Sequence, residues 1–278
     1  GGRGWAAAAG RSSQGADVDT LIFDIDDTLY PASSGFSQHR TEEVTFKFMV
    51  DELGFRSANE ARLVWTEYVR RYHSTLKGLN VAAQDGRLPR PFRQEDLGRY
   101  WAEHSDFARF IRPDLDFIDA LASLRSDAGM NVVAFTNAPR AYALRCLDAL
   151  GLASFFPDSR VFAVEDVLPA CKPERPAFER VLAAVGAEAG RSVMFEDSMK
   201  NIRACKGMGI HTVLVHEAAG AGTAAEGEAA LLDDAPRPDD PAVGFVLRRV
   251  GKLRAALPGL WQRRFEPAPC FERQAEGS

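Results

Sequence analysis

Phe23-Asp24-Ile25-Asp26-Asp27-Thr28 places two carboxylates two positions apart, directly behind a Thr-Leu-Ile-Phe run that reads as a buried strand. Strand side chains alternate with a period of two, so Asp24 and Asp26 leave the strand on one side. Carboxylates that close repel each other unless a cation joins them or one keeps a proton. Such a pair suits Mg2+ facing a phosphoryl group, although an acidic strand exit alone would read the same way. Further polar groups recur downstream. Thr136 and Asn137 follow a strand-like run, Lys172 precedes Pro173 in a loop, and Glu196-Asp197 leave another strand with Asn201 one helical turn later. A Thr behind a strand usually caps, and a Lys-Pro pair usually faces water. Four such groups at successive strand ends read as one site, because ligands of open α/β sheets bind beyond the carboxyl ends of the strands.

The elements that must position these groups alternate. Beyond Asp114, helical patterns over 114–127, 139–150, 176–185 and 201–208 alternate with strand patterns over 131–135, 160–164, 192–195 and 211–215. Alternation of this kind predicts an α/β fold with a parallel sheet. Between Tyr30 and Pro113 the pattern changes. Val44, Phe48 and Met49, then Val64, Tyr68 and Tyr72, recur at helical spacing without a strong strand. That predicts an all-helical insertion set over the strand ends as a lid. The expected organisation is a disordered leader over 1–18, a core over 19–30 and 113–217, and a helical cap over 31–112. A flexible Gly/Ala/Glu- and Asp/Pro-rich linker over 218–241 follows, then a C-terminal helix (243–257) and tail within 242–278.

The bulk chemistry narrows the classes. The chain has 278 residues, 46% hydrophobic and 26% charged, enough for one sizeable core plus a subsidiary domain. A net charge of −5 argues against a nucleic-acid polymer as partner, which calls for a basic face. No apolar run approaches a membrane span. Cys146, Cys171, Cys205 and Cys270 form no CxxC pair, which predicts reduced thiols and a cytoplasmic location. The five histidines, His73 among them, lack metal-ligand spacing and read as packing or surface residues. Trp101 and Tyr100 read as core. Asp27 reads as a turn residue or solvent-facing group.

Taken together, the four motifs resemble those of the haloacid-dehalogenase-like (HAD) superfamily of phosphohydrolases. Asp24 to Thr28 matches DxDxT, Thr136 the strand-ending Thr, Lys172 the Lys before Pro, and Glu196-Asp197 with Asn201 the acidic motif. The resemblance covers about residues 19–215 and implies a Rossmann-like parallel-sheet core with an inserted type-one helical cap. The string Phe-Asp-Ile-Asp-Asp-Thr-Leu-Tyr-Pro and the later Ala-Leu-Pro-Gly-Leu-Trp resemble the plant and fungal branch related to pyrimidine 5′-nucleotidases.

What the resemblance implies is hydrolysis of a small phosphorylated metabolite through an aspartyl-phosphate, with Asp24 as nucleophile and Asp26 as general acid and base. It further implies Mg2+ on the Asp24 carboxylate, the Asp26 backbone carbonyl and Asp197. Thr136, Asn137 and Lys172 would hold the phosphate, supported by Thr28, Glu196 and Asn201. Two positions depart from the family pattern: Glu196 stands where many relatives carry Asp or Gly, and Asn201 where Asp is frequent. A sugar-phosphate phosphatase, a phosphomutase-type phosphoryl transferase and a non-catalytic phospho-switch module fit the same residues.

Overall fold

The computed structural model describes residues 15–217 and 234–268. Strand β1 (Ala16–Asp17) precedes β2 (Thr20–Phe23), after which the chain turns helical: α1 (Phe36–His39), a π-helical stretch Arg40–Thr45, α2 (Phe46–Asp51), α3 (Ala58–Tyr72), α4 (Thr75–Gln84), α5 (Gln94–His104) and α6 (Phe107–Phe110). Alternation then begins with α7 (Leu115–Ser126), β3 (Asn131–Phe135), α8 (Arg140–Ala149), β4 (Val161–Phe162) and α9 (Val164–Val167). It continues through α10 (Arg175–Val185), β5 (Ser192–Glu196), α11 (Met199–Gly207) and β6 (His211–Val215). The last described segment holds β7 (Phe245–Leu247), α12 (Leu253–Ala256) and β8 (Arg264–Phe265).

Among the described residues, six strands form one sheet in the order β4-β3-β2-β5-β6-β7, every pairing parallel. This is the expected α/β fold with a parallel sheet. Helices cover both faces, so the central strands are apolar throughout instead of alternating; β2 is buried at every position. The chain runs from β2 to β3 and β4 on one side, then returns to β5 on the other. That reversal makes the carboxyl end of β2 a topological switch point. Register aligns Phe23 with Ala134 on β3 and Phe195 on β5, so Asp24, Thr136 and Glu196 arrive at one edge. Phe23 stacks on Phe195 (ring centroids 4.4 Å apart) and meets Phe117 of α7 edge-on at 5.5 Å, which pins the strand beneath the site.

Local chemistry accounts for the helix boundaries. Ser57 caps α3, with its hydroxyl accepting from the Glu60 N–H while the Glu60 carboxylate accepts from the Arg56 N–H. Asp114 caps α7 by accepting from the Phe117 N–H at 3.2 Å. Gly186 closes α10 in the left-handed region (φ 66°), which glycine adopts without a Cβ penalty.

The structure departs from three sequence expectations. The helix expected over 243–257 is instead β7, one short 3-10 turn (Val250–Lys252) and α12. Val243, Phe245 and Leu247 are all buried at a spacing of two, and the open edge of β6 supplies a backbone ladder. The leader was expected to be disordered through residue 18, yet β1 pairs antiparallel with β8, and Val18 and Phe265 are buried. Within the expected linker, Asp234 is buried and hydrogen-bonded. Leader residues 1–14, linker residues 218–233 and tail residues 269–278 lie outside the described residues.

Candidate active site

Asp24, Lys172 and Glu196 form a buried cluster at the switch point. The Lys172 ammonium donates to Asp24 Oδ1 at 2.7 Å, Glu196 Oε2 at 2.8 Å and the Phe135 carbonyl at 3.0 Å, so all three of its N–H groups are engaged. Burial opposes its charge, but Asp24 and Glu196 outweigh that and hold the ammonium above its ordinary value. Burial, then the Glu196 charge, pushes the Asp24 carboxyl well above the usual carboxylate range against the pull of Lys172. Burial and Glu196 likewise raise Asp197, with Asp27 and Asp24 adding to the effect.

Carboxylate oxygens of Asp24, Glu196 and Asp197 lie within 4.8 Å of one another. Three carboxylates against one ammonium leave two negative charges when all are ionised. Hard oxygen donors carrying that surplus fit a hard divalent cation, and the raised carboxyls mark the same frustration from the proton's side. Asp197 stands at the more open rim of the cluster.

Asp26 borders the same cavity, of about 160 Å3, but its carboxylate lies outside the three-carboxylate cluster. Its Oδ2 pairs with Arg40 at 2.5 Å, while its Oδ1 accepts from the hydroxyls of Tyr30 at 2.6 Å and Tyr142 at 2.7 Å. Asp27 turns the chain in the left-handed region (φ 57°) and accepts from the Ser37 hydroxyl at 2.8 Å.

The remaining expected residues divide. Thr136 is buried in the cavity wall and its hydroxyl accepts from the Ala138 N–H at 3.0 Å. Asn137 ties three segments together. Its amide donates to the His73 and Lys172 carbonyls at 3.0 and 2.8 Å, and its carbonyl accepts from the Lys172 N–H at 2.9 Å. That commits both ends of the Asn137 side chain, and it caps no helix; Glu165 accepts from the first N–H of α8 instead. Asn201 is buried in the cavity wall, whereas the Thr28 hydroxyl is buried without a hydrogen-bond partner among the described residues.

Sequence reading missed Arg40, Tyr30, Tyr142, His73 and Asp234. Arg40 sits in a stretch of helical periodicity where a charge reads as solvent-facing, yet it is buried 4.8 Å from the Trp101 ring centroid. His73 ends α3 in the left-handed region (φ 58°) and borders the cavity, and burial lowers its imidazole below the ordinary value. Its neighbour Ser74 donates to the Asn137 carbonyl at 3.0 Å, which fastens the α3–α4 loop to the β3 exit. Asp234 accepts from the Ser198 hydroxyl and, at 2.9 Å, from the Lys200 N–H at the start of α11. No local signal in its Asp/Pro-rich stretch marks that contact.

Comparison with known proteins agrees with this architecture. Phosphate metabolism protein 8 of Saccharomyces cerevisiae is 27% identical over 205 residues, covering 70% of this chain and 60% of its own length, so the chain matches under two thirds of that relative. A phosphoglycolate phosphatase of Mesorhizobium japonicum is 28% identical over 198 residues, covering 70% of this chain and 81% of its own. The fold of a HAD phosphatase from Thermococcus onnurineus superposes with a TM-score of 0.54 at 21% identity, covering 86% of this chain and 97% of that one. The sequence pattern of haloacid dehalogenase-like hydrolases matches residues 18–209, most of the chain, and the protein belongs to that family.

Proposed function

We propose that the protein is a Mg2+-dependent phosphatase of small phosphate monoesters, acting through an aspartyl-phosphate on Asp24. Nucleoside 5′-monophosphates, pyrimidine ones first, are the leading substrate class. The observation that carries this reading is the buried Asp24–Lys172–Glu196 cluster with Asp197 at its rim. Support for the nucleotide class comes from the strings around Asp24 and Leu257, and from Trp101 and His73 bordering the cavity on the insertion side.

The chain's own residues divide the work. An Asp24 oxygen attacks phosphorus, the ester P–O bond breaks, and the leaving alkoxide takes a proton from Asp26. Asp26, now a carboxylate, removes a proton from the water that attacks the same phosphorus, releasing phosphate and restoring Asp24. Lys172 holds one Asp24 oxygen still and offsets charge as the phosphate approaches. Bound at Asp24, Asp197 and the Asp26 carbonyl with Glu196 alongside, Mg2+ would supply the positive charge that keeps these carboxylates ionised and lessens their repulsion of the substrate. The α1–α6 insertion serves as a lid that shields the aspartyl ester from bulk water.

The test is a screen of UMP, CMP, AMP and 2-phosphoglycolate with and without Mg2+, the last because a relative bears that name. Asp24→Asn is expected to lower turnover by about 10³-fold or more in a protein that still folds. Full turnover in that variant overturns the covalent route, and turnover indifferent to chelation overturns the metal.

A further inference from the structure

Asp26 sits in a cage that the scheme above does not use. A carboxylate offers about four acceptor positions. Three are taken here, by Tyr30 and Tyr142 on Oδ1 and by Arg40 on Oδ2. The donors come from three places: the turn behind β2, the first residue of the π-helical stretch, and the core helix α8. They also brace one another. Arg40 donates to the Tyr142 hydroxyl at 3.2 Å and lies over both the Trp101 and Tyr142 rings, at 4.8 and 5.3 Å. Tyr30 shares a hydrogen bond of 3.1 Å with Ser37, which in turn holds Asp27.

Arg40, Tyr30 and Tyr142 are all buried. Burying a guanidinium, a carboxylate and two phenols gains little stability over apolar side chains of the same volume. A π-helical stretch beginning at Arg40 is also a costly way to build a helix, and such stretches concentrate at functional sites. The consequence for Asp26 is directional. With three acceptor positions filled by donors, the carboxyl is fixed in orientation, and one acceptor position, on Oδ2, is left for a fourth partner.

We infer that Arg40, Tyr30 and Tyr142 are positioning residues that aim the Asp26 proton at the leaving oxygen of the ester. The inference rests on the phosphatase reading and deepens it. It concerns only the step that needs a proton. An alkyl phosphate must have its alkoxide protonated as the P–O bond breaks, whereas p-nitrophenolate leaves without help.

The experiment compares kcat/KM, which reports the bond-breaking step, for glycerol phosphate and p-nitrophenyl phosphate. Tyr142→Phe and Tyr30→Phe each remove one hydroxyl and keep the ring; Arg40→Met removes the cation. Each variant is expected to lose about 10- to 100-fold on glycerol phosphate and under about 3-fold on p-nitrophenyl phosphate, with Asp26→Asn showing the same selectivity more strongly. Equal losses on both esters, or no loss on either, overturn the inference, since damaged packing would not distinguish leaving groups. The two Tyr→Phe variants decide the matter whether or not Arg40→Met folds. Wild-type turnover of p-nitrophenyl phosphate reports separately on the phosphatase reading; its absence overturns both.

Discussion

Lys172 is an ammonium with 1% of its surface exposed, held between two carboxylates and a carbonyl. Removing one partner of a buried ion pair strands the other, which costs more than the pair itself contributes. Lys172→Met is therefore expected to lower metal-free stability by about 3–5 kcal/mol, read from the urea midpoint at constant slope. Lys172→Met with Glu196→Gln should recover part of that loss, because the second change removes a stranded charge; strict additivity of the two would contradict the coupling. At this scale the motif residues were readable. Asp24, Lys172, Glu196 and Asp197 follow strand-like runs or precede a Pro, and local spacing carries them. Arg40 and the tyrosines around Asp26 were not, because a side chain in a helical window shows its periodicity and not its partner.

Among elements, the contact between α5 of the insertion and α8 of the core turns on one residue. A Cβ at Gly98 would lie 3.0 Å from Pro139 Cβ and 3.6 Å from Ala141 Cβ, so glycine lets the two helices close. Gly98→Val should cost about 1–3 kcal/mol and lower the unfolding temperature, despite replacing a poor helix former. An unchanged or raised unfolding temperature would show that the interface yields freely. Helices and strands beyond Asp114 were readable from alternation of apolar periods with glycine stops such as Gly186. β7 was not, since Val243, Phe245 and Leu247 span only two or three turns of the period and a longer window reads as a helix. Only the free edge of β6 settles the choice.

Across the whole molecule, the proposed metal would compete with protons for one cluster. Asp24 and Asp197 are both raised in the folded protein, so the folded state binds protons more tightly than the unfolded one. Their contribution to stability is complete below the unfolded carboxylate value and is lost as pH rises through the folded values. A divalent cation bound there would replace the missing protons, so its stabilising effect should grow with pH. The rise in Tm on adding MgCl2 is expected to be larger at pH 8 than at pH 5, measured by scanning fluorimetry, and to vanish in Asp24→Asn/Asp197→Asn. A pH-independent rise would place the metal elsewhere.

Sequence alone determined the α/β class, the helical insertion and which polar residues stand at the strand ends, because periodicity and strand-end chemistry are local properties of a chain. Tertiary structure alone decided that Lys172 is spent on Asp24 and Glu196, that Asn137 ties three segments together, and that Asp26 is gripped by Arg40, Tyr30 and Tyr142. Those pairings join residues as far as 148 positions apart, and which distant groups meet depends on sheet order and register, which no local window contains.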